Sequence, residues 1–228
     1  VRTVLKLEIR DNGSGIPLES FEFLCRRYHT SKLGDHTGLR SLGSLGFRGE
    51  ALNALSFAAR VTLASSTGGD LGAKATFLGG KMVTPLEQLA LPRGTVLTLE
   101  NLFYSNEKKR AAMLPEGAVE RLEQLARDFA LEFANVCFDF TLIGRTAFRS
   151  EPGQPLERRV RSLFAPLVSA RLFEIESDEP QSNFRYRGIF SPLGENIRQP
   201  RKTFFINQRL VDSPGLAACI ARAYASVA

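Results

Sequence analysis

In the first ten residues Leu5, Leu7 and Ile9 alternate with Lys6, Glu8 and Arg10. That period of two predicts a strand with one buried face. The stretch "DNGSGIP" at 11–17 ends the strand with two glycines and a proline. Residues 18–28 then read as helical. Residues 30–46, rich in Gly, Ser, Thr and charge and without a period, read as a loop long enough to be functional or mobile. A helix is expected at about 50–58. "RVTLASS", "AKATFLGGKMV" and "GTVLTLENLF" follow as β segments, with "LGGK" as a hairpin signal. Val119, Leu122, Leu125, Ala126, Phe129, Ala130 and Phe133 recur at helical spacing, predicting an amphipathic helix over 116–134. "VCFDFTLI" alternates as a further strand.

The polar, proline-containing stretch "RSEPGQPLE" is the strongest boundary signal. Beyond it come a short helix at 156–164, strands in "RLFEIES", "FRYRGIFS" and "KTFFINQRLV", and a closing helix over 215–227. Hairpin-linked strands mixed with helices predict an α+β fold, divided into one domain at 1–150 and a smaller α/β domain at 151–228.

The 228 residues, 43% apolar and 24% charged, suffice for a real core and exclude a disordered chain. No apolar run reaches the length of a membrane span. The chain opens on a strand without an initiator Met, so it is expected to be part of a longer protein. Cys25, Cys137 and Cys219 lie far apart, and His29 and His36 have no cysteine beside them. Such a set fits a reducing compartment and argues against a disulfide framework or a protein metal site. The net charge of +6 divides evenly at Ser105, +3 on each side, and says little by itself. Local clusters say more: Arg198, Arg201, Lys202 and Arg209 have no acid among them, and Arg158, Arg159 and Arg161 form a second group. Either is a solvated surface or a contact for a phosphate backbone.

Four short stretches carry candidate chemistry. Asp11, delivered by a strand into the Gly13/Gly15 turn, offers a carboxylate to an exocyclic amino group, and the glycines let a flat ring approach the backbone. "YHTSK" presents Thr30, Ser31 and Lys32, two hydroxyls and a point charge suited to phosphate oxygens. "GFRGEAL", Gly46 to Leu52, opens a helix between two glycines, so that several amides can converge on one anion. "RGT" at 93–95 would bring the Thr95 hydroxyl to the same pocket from a strand. Any one of these could be structural: the first as a common turn, the second as a helix end, the third as a capped helix.

Taken in order, "DNGSGI", "HTSK", "GFRGEAL" and "GT" followed by "LFYSNEKKR" resemble the nucleotide-binding motifs of the MutL mismatch-repair family. That family belongs to the GHKL ATPase superfamily, with gyrase-type topoisomerases, a heat-shock chaperone and histidine kinases. "FFINQRLVD" resembles a strand of the family's second domain, in wording closer to the eukaryotic PMS branch. The resemblance implies a Bergerat-type sandwich of mixed sheet and helices followed by a ribosomal-protein-like α/β domain. It makes Asp11 the adenine acceptor, with Gly13, Gly15 and Thr95 beside it. Thr30, Ser31 and Lys32 would begin an ATP lid spanning 33–45, and Gly46, Phe47, Arg48, Gly49, Glu50, Ala51 and Leu52 would form its phosphate-side end.

ATP, with Mg²⁺, is the implied cofactor. The implied partners are DNA bound without sequence preference, a second MutL-type subunit in a homo- or heterodimer, and MutS-type mismatch-recognition proteins, with no membrane. Arg158, Arg159, Arg198, Arg201, Lys202 and Arg209 are the candidate DNA contacts. The setting would be nuclear in a eukaryote and cytoplasmic in a bacterium. The family's water-activating Glu and metal-holding Asn sit on a helix ahead of the first strand here. The chain by itself is therefore expected to carry no catalytic residue and not to hydrolyse ATP. Glu8 and Asn12 imitate that spacing, but on a strand they are too far apart to act together. Two alternatives stand beside this reading: another GHKL ATPase such as a topoisomerase subunit, or a non-catalytic dimerisation and DNA-binding module with a degenerate nucleotide site.

Overall fold

The computed structural model describes residues 6–27, 50–69, 71–112, 117–142, 145–165, 171–179, 184–192 and 201–226. The chain divides into two units, Val1–Pro115 and Glu116–Ala228.

The first unit is built on an antiparallel sheet. Its strands are β1 (Lys6–Asp11), β2 (Arg60–Ser66), β3 (Gly72–Leu78), β4 (Lys81–Met82), β5 (Glu87–Leu89) and β6 (Gly94–Glu100). The order is β1-β6-β2-β3-β4, with β5 pairing β3. Cross-strand partners share a face, so the registers set up two unlike surfaces. One carries Leu7, Leu99, Val61 and Phe77 in one row and Ile9, Leu97, Leu63 and Ala75 in the next. Phe21, Ala59, Leu52 and Leu55 close this face into a core, and each large side chain buried there contributes about 1.5–3 kcal/mol. The other face is polar, with Glu8, Thr98, Thr62 and Thr76 in one row and the last two hydroxyls 3.1 Å apart. One wet and one dry face is the usual condition of an antiparallel sheet.

Helix α1 (Ala51–Ala58) lies where the periodicity places it. Its Ser56 hydroxyl accepts the Gly80 amide at 2.8 Å, and the Ser56 carbonyl accepts the Gly79 amide at 2.8 Å. The helix is thereby tied to the β3–β4 turn, where Gly79 and Gly80 both have positive φ. Residues 18–27, the described part of the helix expected over 18–28, do not form an α-helix. They give a single 3₁₀ segment, Leu18–Phe23, which ends where Leu24 turns extended at ψ 144° and Cys25 follows left-handed at φ 64°. Cys25 is buried, and that burial pushes its thiol up to about 12. Cys137 and Cys219 are exposed, and all three cysteines are unpaired.

A short helix, α2 (Glu107–Ala111), follows, with the Asn106 side chain accepting the Lys109 amide at 2.9 Å. In the second unit α3 (Ala118–Glu132), the hairpin β7 (Phe138–Leu142) and β8 (Arg145–Ser150), and α4 (Leu156–Phe164) share one core. Ala130, Phe148, Val160, Leu163 and Phe164 are buried in it. Packing therefore changes units ahead of α3, while the composition break near residue 150 falls between two elements of the same core. Beyond α4 come the ribbon of β9 (Phe173–Glu179) with β10 (Phe184–Phe190), the ribbon of β11 (Phe204–Ile206) with β12 (Arg209–Val211), and α5 (Pro214–Ala225). Among the described residues no helix is long and apolar enough to cross a membrane.

Arg159 is fully buried between α3 and α4. Its guanidinium donates to the carbonyls of Ala130, Phe133, Ala134, Val136 and Glu151, those with normal lengths at 2.8–3.0 Å. The last carbonyls of a helix have no partner within it; the five-donor fork meets Ala130 and the C-cap Phe133 of α3, two carbonyls of the turn that follows, and Glu151. This corrects the assignment of Arg159 to DNA, since a side chain with no exposed surface and all its donors engaged cannot reach a phosphate. A helical projection carries the signal. Leu156, Arg159, Val160 and Leu163 fall at i, i+3, i+4 and i+7 and share one face. Replacing Arg159 by Ala should cost about 3–5 kcal/mol, read from a urea titration. A loss below about 1 kcal/mol would show that water satisfies those carbonyls.

Candidate functional site

At the ends of the adjacent strands β1, β6 and β2 the dry face of the sheet turns polar. Asp11 pairs with Thr95, and Thr95 with Ser65, one residue pair beyond the Ile9–Leu97–Leu63 row on the same face. Ser65 is the hub of this row and is 1% exposed. Its hydroxyl lies 2.8 Å from the Gly94 carbonyl, 2.9 Å from the Thr95 hydroxyl and 2.9 Å from the Ile16 amide. A carbonyl only accepts, so the single Ser65 proton goes to Gly94, and both Thr95 and Ile16 donate to Ser65. Thr95 therefore presents its lone pairs outward. Asp11 is exposed, and one of its oxygens accepts the Gly13 amide at 2.9 Å. Among the described residues no cation pairs with it.

Two glycines allow the strand ends to approach so closely. Gly94, at φ +127°, passes where a Cβ would lie 2.1 Å from the Asp11 carbonyl oxygen. Gly15, at φ +76°, would bring a Cβ within 2.0 Å of the Ser66 carbonyl oxygen. No other residue fits either position. Arg93, just ahead of β6, donates from Nε to the Gly13 carbonyl at 3.2 Å.

The structure thus brings Asp11, Gly13, Gly15 and Thr95 together at one strand-end rim. Ser65, which motif reading did not select, is added to them. Its only signal was a serine occupying a core-face position after Val61 and Leu63 in "RVTLASS". Glu50 stands at the N-terminal boundary of α1, its carbonyl accepting the Ala54 amide at 2.8 Å. Leu52 packs on the core, and Ala51 is exposed. Thr30, Ser31, Lys32, Gly46, Phe47, Arg48 and Gly49, with the expected lid at 33–45, lie outside the described residues, as does Arg198. Glu8 is on β1, where side-chain hydrogen bonds from Lys6 and then Arg10 hold its carboxyl below the usual range. It is an ion-paired surface group.

The basic residues of the second unit do not form one free patch. Arg201 pairs with the buried Asp128 and lies over the Phe164 ring at 4.6 Å. Lys202 donates to the Ala217 carbonyl at 3.2 Å. Arg158 is exposed on α4, and Arg209 is exposed on β12.

No family model matches the chain. Over 96% of its length it is 32% identical to the putative MutL protein homolog 1 of Schizosaccharomyces pombe, covering 34% of that protein. Over the same share it is 31% identical to DNA mismatch repair protein MutL of Acidiphilium cryptum, covering 37% of it. It is 32% identical to DNA mismatch repair protein Mlh1 of Dictyostelium discoideum, again over 96% of the chain and 29% of that protein. The chain belongs to the MutL family. It spans about a third of the length of these MutL relatives. Its fold is shared with a crystal structure described as the N-terminal domain of a DNA repair protein, at a TM-score of 0.77 and 20% identity, over 97% of this chain and 69% of that one. It is shared equally with the Aquifex aeolicus MutL ATPase domain complexed with ADP, at a TM-score of 0.69 and 20% identity, over 95% and 75%. The α+β fold is therefore that of the MutL ATPase domain.

Because Ser65 ties β2 to the start of β6 and to Ile16 in the loop after β1, Ser65→Ala should destabilise the first unit by about 1–3 kcal/mol, the cost of leaving the Ile16 amide unpaired. Denaturant unfolding measures the loss, and amide exchange should localise it to Ile16. An Ala variant of native stability with Ile16 still protected would remove Ser65 from this role.

Proposed function

We propose that this chain is the N-terminal ATP-binding module of a MutL-family DNA mismatch repair protein, with nucleotide binding coupled to dimerisation and to DNA binding. The row of Asp11, Thr95 and Ser65 carries the reading. Asp11 and the outward lone pairs of Thr95 are two acceptors with no cation between them, which suits an amino group such as adenine N6. Ile9, two residues before Asp11 on the same strand face and 53% exposed, offers apolar surface to a base. The glycines at 15 and 94 keep the rim free of Cβ atoms that would fill it. The Aquifex aeolicus relative of this fold is described as complexed with ADP, in line with the same use of the site.

The residues present fit the base of the nucleotide. They do not fit a metal, since no three His, Cys, Asp or Glu side chains among the described residues come together to hold an ion. Mg²⁺ would enter with the phosphates of ATP. The Bergerat-type nucleotide-binding domain and the second α/β domain, the phosphate-side roles of Thr30, Ser31, Lys32 and Gly46 to Leu52, and the MutL- and MutS-type partners belong to the same proposal. So does a nuclear or cytoplasmic setting according to source. ATP would act by binding the dimeric state more tightly than the monomer.

If Asp11 accepts from adenine, ATP should raise the melting temperature of the chain, and Asp11→Asn should abolish the rise while leaving the midpoint without nucleotide unchanged. An equal shift in both proteins would sink the adenine role. DNA contacts should be insensitive to sequence and should weaken with salt. The double reversal Arg158→Glu, Lys202→Glu should lower affinity for duplex DNA about tenfold or more at low salt. Unchanged affinity in a filter-binding or anisotropy titration would place the DNA surface elsewhere.

A further inference from the structure

We infer that Arg93 is a positioning residue for the base-binding carboxylate, setting the preference of the site for a base that carries an amino group. The inference rests on the nucleotide reading of the Asp11 rim and names a residue that this reading leaves unused.

The geometry forms a short relay. Arg93 Nε donates to the Gly13 carbonyl at 3.2 Å, and the Gly13 amide donates to Asp11 Oδ1 at 2.9 Å. One peptide unit away from each bond, the backbone of 12–14 has no side chain of its own holding it in place. Gly13 carries no side chain, and a Cβ built on it would lie 2.9 Å from Asp11 Oδ1, so a larger residue there would push the carboxylate aside. Such a turn loses much conformational freedom on ordering. Arg93 counters this with a charge-assisted bond to the one carbonyl that faces it.

Arg93 is itself restrained. It precedes Gly94, whose backbone is pressed against the Asp11 carbonyl. Its aliphatic stem lies along Gly68, where an added Cβ would meet Arg93 Cδ at 3.4 Å and Cβ at 3.6 Å. Gly68 belongs to the segment after β2, and its amide donates to the Ser66 hydroxyl at 3.1 Å. One side chain therefore joins the exits of β1 and β2 to the entry of β6. Among the described residues Arg93 pairs with no carboxylate. Its cation is spent on the turn and leaves the charge of Asp11 intact, as an acceptor requires. Occupying one carboxylate oxygen with the Gly13 amide aims the other outward, and a fixed acceptor discriminates between donor and acceptor at base position 6 better than a mobile one.

The test uses the whole chain with ATP and with inosine triphosphate, which carries an oxygen in place of the amino group. The wild-type chain should prefer ATP. Arg93→Ala should reduce that preference about two- to tenfold, the range expected for one such hydrogen bond, chiefly by weakening ATP binding. Arg93→Lys, which keeps a cationic donor, should restore much of it. In the nucleotide-free chain, exchange of the Gly13 amide should quicken in the Ala variant while the unfolding midpoint stays near wild type. An Ala variant with an unchanged ATP-to-inosine-triphosphate ratio and an equally protected Gly13 amide overturns the positioning role. A wild-type chain that binds neither nucleotide overturns the reading of the rim itself, and this inference with it. A general loss of stability with the ratio intact would make Arg93 structural only.

Discussion

The register of β1, β6 and β2 is the constraint on which the candidate site depends. It sets Asp11, Thr95 and Ser65 side by side at the end of a face that is otherwise apolar. A slip of one residue in any of these strands would send that strand's row to the wet face and its threonines and charges into the core. Burial of Val61, Leu63, Leu99 and Phe77 therefore aligns the polar row as a by-product of aligning the apolar ones. The core and the site are specified by the same pairing. Ser65 shows this most directly, because it is buried as deeply as the leucine two residues before it and yet organises the hydroxyls at the rim.

Close backbone approach is the second requirement, and glycine meets it at two points. Gly94 crosses the carbonyl of Asp11, and Gly15 crosses that of Ser66. Both are at positive φ, so a side chain would be excluded by space and by conformation together. Polar groups at the rim consequently come mainly from backbone and from short side chains. Arg93 is the exception, a long side chain whose stem lies against a third glycine.

The second unit solves a different problem with charge. Where α3 ends, Arg159, delivered by the neighbouring helix, donates to the carbonyls of Ala130 and the C-cap Phe133, to those of Ala134 and Val136 just after the helix, and to that of Glu151. Asp128 on the same helix is nearly buried and is matched by Arg201. Cations that look like a nucleic-acid surface when counted along the chain thus include two that hold α3 in place. A buried cation is costly without partners, and here the partners are main-chain oxygens and one carboxylate.

Much of this was legible beforehand. Alternation of Leu7 and Ile9 with charged neighbours located β1, the three-four spacing in 116–134 located α3, and paired glycines located the β3–β4 turn. "DNGSGI" and "RGT" marked the rim only when read together with the other motifs, since each alone also fits an ordinary turn or strand. Periodicity failed where local backbone conformation overrode it, as at Leu24 and Cys25 after Phe21–Phe23, and where a short strand such as β5 is made by pairing alone. The sequence by itself determined which residues could be buried, where glycine must stand, and to which family the chain is related, since these follow from local side-chain chemistry and from spacing. Only the tertiary structure decided that Ser65 joins the rim, that Arg93 reaches Gly13, and that Arg159 turns inward. The Ser65–Gly94, Arg93–Gly13 and Arg159–Ala130 bonds span 29, 80 and 29 residues, and a period of two or of 3.6 carries no information over such distances.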